Sequence, residues 1–131
     1  MILLDTHVLI WLVLEPERLS REAASAIRRA RKSGGLAIAA MTLWEVAMMF
    51  SRGHIAPRGS VEESLRKLVG DANVEIKPIT PEIAALAWQF PADFSGDPAD
   101  RLIAATARGE GIPLVTRDER IRKSTLLKTV W

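Results

Sequence analysis

Cysteine is absent from the 131 residues of this chain. That excludes a disulfide framework and any thiolate metal site, leaves oxygen and imidazole as the available ligands, and fits a reducing cytoplasm. A long apolar run is missing too. Ile2-Leu3-Leu4 has no basic leader and meets Asp5 at once, so the sequence predicts neither a signal peptide nor a membrane span, but a soluble, cytoplasmic protein. No internal repeat, low-complexity tract or linker composition divides the chain. At this length, with 48% hydrophobic content, one core is expected, hence a single domain over 1–131. Net charge is small: eighteen Lys and Arg against sixteen Asp and Glu give +2. That suits nucleic acid and many other partners, so it selects no function class.

What is present alternates. Ile2 to Leu4 reads as a short buried strand, and Val8 to Leu14 as the helix behind it. Ser20 is an N-cap for an alanine-rich helix that runs to Lys32 and stops at Gly34-Gly35. "LAIAA" is a second strand. Thr42 and Glu45 in "TLWE" have capping-box spacing, opening an apolar helix over Val46 to Phe50. Ser60 caps a further amphipathic helix, "VEIKPI" is a third strand, and Thr80-Pro81 starts "PEIAALAWQF". Asp97 and Pro98 occupy the N-cap and first helical position of "GDPADRLIAATARGEGI". The strand "PLVT", the short basic helix "DERIRKS" and a last strand toward Val130-Trp131 complete the order. Short strands, apolar on both faces and alternating with helices, predict a parallel sheet covered on both sides.

In such a sheet, ligands bind outside the carboxyl ends of the strands. Asp5 ends the first strand, Glu45 follows the second by one turn, Asp100 lies in the first turn of its helix, and Asp118 ends "PLVT". Helix N-termini share that edge, so capping and dipole effects explain acids there as well. Asp100 resists that account, because Asp97 and Pro98 already start its helix. If the first and "PLVT" strands are neighbours, the four carboxylates converge within a few ångströms and need a cation among them. Only His7, Arg101 and Arg117 lie close in sequence. A hard divalent ion, Mg²⁺ or Mn²⁺, fits better. It would be held by Asp5 and Asp100, with Asp118 directly or through water, and Glu45 as ligand or as the group that orients or deprotonates a water attacking a phosphodiester. Thr6 and Thr116 are flanking hydroxyls for carboxylates, waters or substrate, or plain strand-end threonines.

"LLDTHVLIW", "TLWEVA", "GDPADRLIAATA" and "LVTRDERI", in this order from Met1 to about Ile121, resemble the PIN-domain family, in particular the VapC-type toxins of toxin–antitoxin pairs. The resemblance implies a three-layer α/β/α fold with a five-stranded parallel sheet and Mg²⁺- or Mn²⁺-dependent endoribonuclease activity. It also implies a homodimer, inhibition by a cognate antitoxin, and an active site made by the acids at Asp5, Glu45, Asp100 and Asp118. Two other functions fit the same residues: a PIN-like module without turnover that binds RNA or protein, and a different carboxylate-rich phosphohydrolase. An aspartyl-nucleophile phosphatase would want an acid where His7 stands.

Arg117, Arg120, Arg122 and Lys123 form a basic run beside Asp118, placed to hold an RNA backbone; Arg28, Arg29, Arg31 and Lys32 read as a solvated helix face. Arg101 is expected to pair with Asp97. Trp11, Trp44 and Trp88, in apolar helical stretches, read as core or oligomer contacts rather than base-stacking platforms. Met41, Met48 and Met49 read as core or interface filler. His7 and His54 are given no role as ligands.

Overall fold

A computed structural model describes every residue from Met1 to Trp131. Five strands, β1 (Ile2–Leu4), β2 (Leu36–Ala39), β3 (Val74–Lys77), β4 (Leu114–Val115) and β5 (Thr129–Val130), form one sheet in the order β3-β2-β1-β4-β5. Every pairing is parallel. The helices are α1 (Thr6–Leu14), α2 (Arg21–Lys32), α3 (Ala40–Ser51), α4 (Val61–Ala72), α5 (Pro81–Gln89), α6 (Pro98–Glu110) and the one-turn α7 (Glu119–Arg122), with a short 3₁₀ turn at Pro16–Arg18. None is long and apolar enough to cross a membrane.

Side chains alternate across a strand, and this alternation creates two cores. Ile2, Leu4, Leu36, Ile38 and Val115 point into a cluster completed by α1, α2, α3 and α4. Leu3, Ala37, Ala39 and Leu114 point the other way, against Ile83 and Ala87 of α5, Ile103 to Ala107 of α6, and Ile121 of α7. The result is the α/β/α sandwich that the alternation of elements predicts. Each fully buried Leu or Ile contributes about 1.5–3 kcal/mol, and small side chains on one face of β2 let α6 lie close to it.

The predicted caps at Ser20, Ser60, Thr80 and Asp97 all accept from backbone N–H groups. The "TLWE" capping box does not form. α3 starts earlier, with Ala39 at its N-cap and no side-chain cap bond. Thr42 is therefore inside the helix, fully buried, with its hydroxyl turned onto Thr6. β3 is not apolar on both faces: as an edge strand it exposes Glu75 and Ile76, and Lys77 ties Glu75 to Glu110 of α6.

The strand order reverses at β1. β2 and β3 lie on one side of it, β4 and β5 on the other, so the crevice opens where the chain leaves β1 and β4. The Asp5 N–H donates to the Val115 carbonyl at 3.0 Å, which fixes the end of β1 beside Thr116.

Candidate active site

Asp5 leaves β1 in an extended conformation (φ −64°, ψ 158°) and caps α1. Its Oδ1 accepts from the Thr6 N–H at 2.8 Å, and its Oδ2 accepts from the Thr116 hydroxyl at 2.7 Å. The Thr116 hydroxyl in turn accepts from the Asp118 N–H at 3.0 Å. Asp118 caps α7, accepting from the N–H groups of Arg120 and Ile121. On the other flank the Thr6 hydroxyl donates to Glu45 at 2.6 Å and lies 3.1 Å from the Thr42 hydroxyl. A hydroxyl has one proton to give, so Thr42 donates to Thr6 and Thr6 to Glu45. Asp100 accepts from the Ser95 hydroxyl at 2.6 Å, and the same oxygen of Ser95 accepts from the Asp97 N–H at 3.2 Å.

All four predicted acids line one cavity of about 560 Å³, together with Asp97, Thr6, His7, Trp11, Arg18 and Arg117. None of the four is in an ion pair. Burial pushes the Asp5 carboxyl up, against the opposing pull of the Thr116 and Thr6 hydrogen bonds. Burial also raises Glu45, opposed by the Thr6 hydroxyl and reinforced by Asp5, Asp97 and Asp100. Asp100 is raised for the same reason, opposed by Ser95 and reinforced by Asp97, Asp5 and Asp118. The carboxylates thus raise one another, and His7 beside Asp5 opposes the rise there.

The cluster is looser than the sequence map expects. No three His, Asp or Glu side chains stand close enough to hold an ion by themselves, because each acid is turned toward its own hydroxyl or N–H donors. The donor set still suits Mg²⁺ or Mn²⁺, which take one or two carboxylates and keep several waters. The four carboxylates in this cavity are oxygen donors of the kind such an ion takes, and they do not form a closed cage of side chains.

Thr6 and Thr116 are buried and hold carboxylates. Arg117 is exposed at the cavity wall, whereas Arg120 faces a different cavity, beside Arg108 and Lys123. Arg101 makes no pair with Asp97. Its guanidinium donates to the carbonyls of Ser95, Ala87, Phe90 and Pro91, closing the end of α5 onto α6 and fixing the Ser95 loop beneath Asp100. Trp11 is core, with Trp131 and His7 against it. Trp44 and Trp88 are outside the core, 65% and 84% exposed.

Asp97, His7, Arg18 and Ser95 are cavity or support residues to which sequence reasoning assigned no site role. Asp97 carried a signal, since three positions before Asp100 places both acids on one helix edge. Arg18 carried none: the 3₁₀ turn brings it back over Trp11, 4.7 Å from the ring, while it pairs with Glu15.

Sheet order and acid-lined crevice define a class, α/β/α proteins with a carboxylate site at the switch point of a parallel sheet. The chain belongs to the PIN domain family, whose model matches residues 2–125. It is 42% identical over 132 aligned positions, covering 99% of this chain and 98% of the relative, to ribonuclease VapC22 of Mycobacterium tuberculosis. In fold it is similar to VapBC2 of Rickettsia felis, solved bound to a DNA fragment from the promoter, with a TM-score of 0.74, 18% identity, and coverage of 98% and 97% of the two chains. It is also similar to a toxin-antitoxin complex from Klebsiella pneumoniae, with a TM-score of 0.66, 22% identity, and coverage of 100% and 97%.

Proposed function

We propose that this protein is a divalent-metal-dependent endoribonuclease, one catalytic domain acting in the cytoplasm as the toxin of a toxin–antitoxin pair, as a homodimer held in check by a cognate antitoxin. The 42% identity to a named ribonuclease over nearly all of both chains supports the activity, and the fold of the toxin-antitoxin complex supports the pairing. The observation that carries the reading is Asp5: a buried carboxyl at the switch point, held by Thr116 and Thr6 in one cavity with Glu45, Asp100 and Asp118.

Asp5 and Asp100 are the residues to hold Mg²⁺ or Mn²⁺, with Asp118 through water. When bound, the ion lowers the pKa of a coordinated water and neutralises charge on phosphate oxygens. Glu45, raised by burial and its acidic neighbours, is a stronger base than an ordinary carboxylate and is suited to accept a proton from an attacking water. Thr6 holds one Glu45 oxygen and leaves the other for water. Thr116 keeps Asp5 oriented, and Arg117, at the cavity wall, is placed to take a substrate phosphate.

RNA cleavage measured with Mg²⁺, with Mn²⁺ and in chelator, and again after Asp5→Asn, tests this. Cleavage that needs the ion and Asp5 is the expected result. Turnover of small phosphomonoesters without RNA cleavage would establish a different phosphohydrolase, and RNA binding with no turnover in any metal would establish a binding module.

A further inference from the structure

The acid-lined cavity is poorly equipped to hold a polyanion. Asp5, Glu45, Asp97, Asp100 and Asp118 face Arg18, Arg117 and His7 across it, and Arg18 is already paired with Glu15. Affinity for a nucleic acid strand has to come from surface beside it, since phosphate contacts supply most of such binding. One neighbouring surface has the right chemistry. A cavity of about 570 Å³ lies between the end of α5, α6, α7 and the turn after α7. Its wall carries Arg108, Arg120 and Lys123 against a single acid, Asp93. All three cations are exposed and none is in an ion pair. The hydroxyl residues Ser124 and Thr125 stand beside them. The floor is rigid: Phe90 and Phe94 are buried and stacked at 4.5 Å, and Arg101 pins the carbonyls of Phe90, Pro91 and Ser95.

The two cavities are joined by one short stretch of chain. Arg117 and Asp118 line the acid cavity, and Arg120 and Lys123 the cationic one. At 1.5 Å of rise per residue, Asp118 and Lys123, which flank α7, are about 7.5 Å apart along its axis. The linings of the two cavities thus follow one another along residues 117–126.

We propose that the cavity formed by Arg108, Arg120 and Lys123 between α5, α6 and α7 is a phosphate-binding subsite that holds the single-stranded RNA running on from the acid-lined cavity. This rests on the nuclease reading above and adds to it a second seat for the substrate. RNA is favoured over an acidic protein because the cations continue from the edge of the acid cavity and because a strand bound there needs charge that the acid cavity lacks.

The test uses binding with cleavage silenced. In an Asp5→Asn background, Arg108→Ala, Arg120→Ala and Lys123→Ala are combined, and affinity is measured for a single-stranded RNA of about 12 nucleotides and for a dinucleotide, across a salt series. Affinity for the longer RNA should fall about 10- to 100-fold, and the slope of log K against log salt should shrink by about 2, three contacts at about 0.7 each. The dinucleotide should be affected less than about twofold. Arg108→Lys with Arg120→Lys, Lys123 retained, should keep most of the binding, which separates loss of charge from loss of fold. Unchanged affinity and slope overturn the inference, as does release of a co-purifying acidic protein with RNA binding intact. Wild-type cleavage of the same RNA with Mg²⁺ reports on the nuclease reading separately: a protein that cleaves while the combined variant binds normally sinks only the subsite.

Discussion

Thr116→Val is the sharpest probe of how the acids are held. Thr116 is fully buried, and its hydroxyl donates to Asp5 at 2.7 Å while accepting the Asp118 N–H at 3.0 Å. Valine keeps the shape and deletes both bonds. The bond to the carboxylate contributes about 1.5–3 kcal/mol and the backbone bond about 1 kcal/mol. The new methyl group recovers at most about 0.8 kcal/mol, leaving a net loss of about 2–3 kcal/mol. At about 3–5 °C per kcal/mol for a domain of this size, Tm falls by about 10 °C. Thr116→Ser keeps both bonds, loses one methyl, and should cost about 1 kcal/mol. Thermal melts of the three proteins at pH 8 in chelator decide the matter. A valine variant that melts with or above the serine variant refutes the claim that this hydroxyl carries the site. Because the Thr116 bond opposes the rise of the Asp5 pKa, valine should also raise that pKa further and weaken Mg²⁺ uptake in calorimetric titration, whereas serine should leave uptake near wild type.

Asp5, Glu45 and Asp100 all have folded-state pKa values above those of the unfolded chain, near 4. In chelator their contribution to stability is therefore complete below about pH 4 and is lost as pH rises through the folded values. Between about pH 4 and pH 8 in chelator, Asp5→Asn combined with Asp100→Asn should gain on the wild type by about 0.5–2 kcal/mol, on top of a pH-independent loss from the hydrogen bonds that Asn cannot keep, and the wild type should recover the difference in saturating Mg²⁺; urea midpoints across pH measure it. Glu45→Gln should lower kcat for RNA by about 10²–10⁴-fold while calorimetric Mg²⁺ uptake persists. Arg101→Ala removes donors to four carbonyls and should cost about 2–4 kcal/mol, with faster amide exchange at Ser95 to Asp100. Gly34 and Gly35 both sit at positive φ, but only at Gly34 does a Cβ meet the Met1 backbone; Gly34→Ala should therefore cost more than Gly35→Ala by about 1 kcal/mol or more, read from denaturant midpoints.

Residues that act through their own neighbourhood were readable from the sequence. The caps at Ser20, Ser60, Thr80 and Asp97 satisfy N–H groups two or three positions away, and β1, β2 and β4 carry apolar residues that either core accepts. The four acids were placed on one edge because a parallel sheet puts every strand exit there, whatever the side chains then do. What failed depended on distant partners. Thr42 and Glu45 have capping-box spacing, yet Thr6, 36 and 39 residues away, engages both and the cap is left to backbone geometry. Arg101 has an acid four positions before it, but the carbonyls of Ala87, Phe90 and Pro91 at the end of α5 and of Ser95 in the following loop offer four acceptors at once. Trp44 and Trp88 lie in helices apolar on several faces, where periodicity cannot say which face the sheet covers. The sequence places the acids on the edge but not their orientation, which the hydroxyl donors set.

Those donors explain why the site is built from threonine and serine rather than from lysine. A lysine beside Asp5 would stabilise the ionised carboxyl more strongly than a hydroxyl does, but it would cancel the negative charge that attracts a divalent ion. A hydroxyl lowers the pKa through its hydrogen bond while leaving the charge in place. The same logic governs the nearby cations. Arg101 adjoins Asp100 in sequence and is drawn off by carbonyls, while Arg18 reaches the cavity but is held by Glu15 and the Trp11 ring. Negative charge is concentrated over the end of β1 and positive charge is kept to the rim and to α7. That separation costs stability as the carboxyls ionise, and it is what the proposed binding of an ion and a phosphate side by side requires.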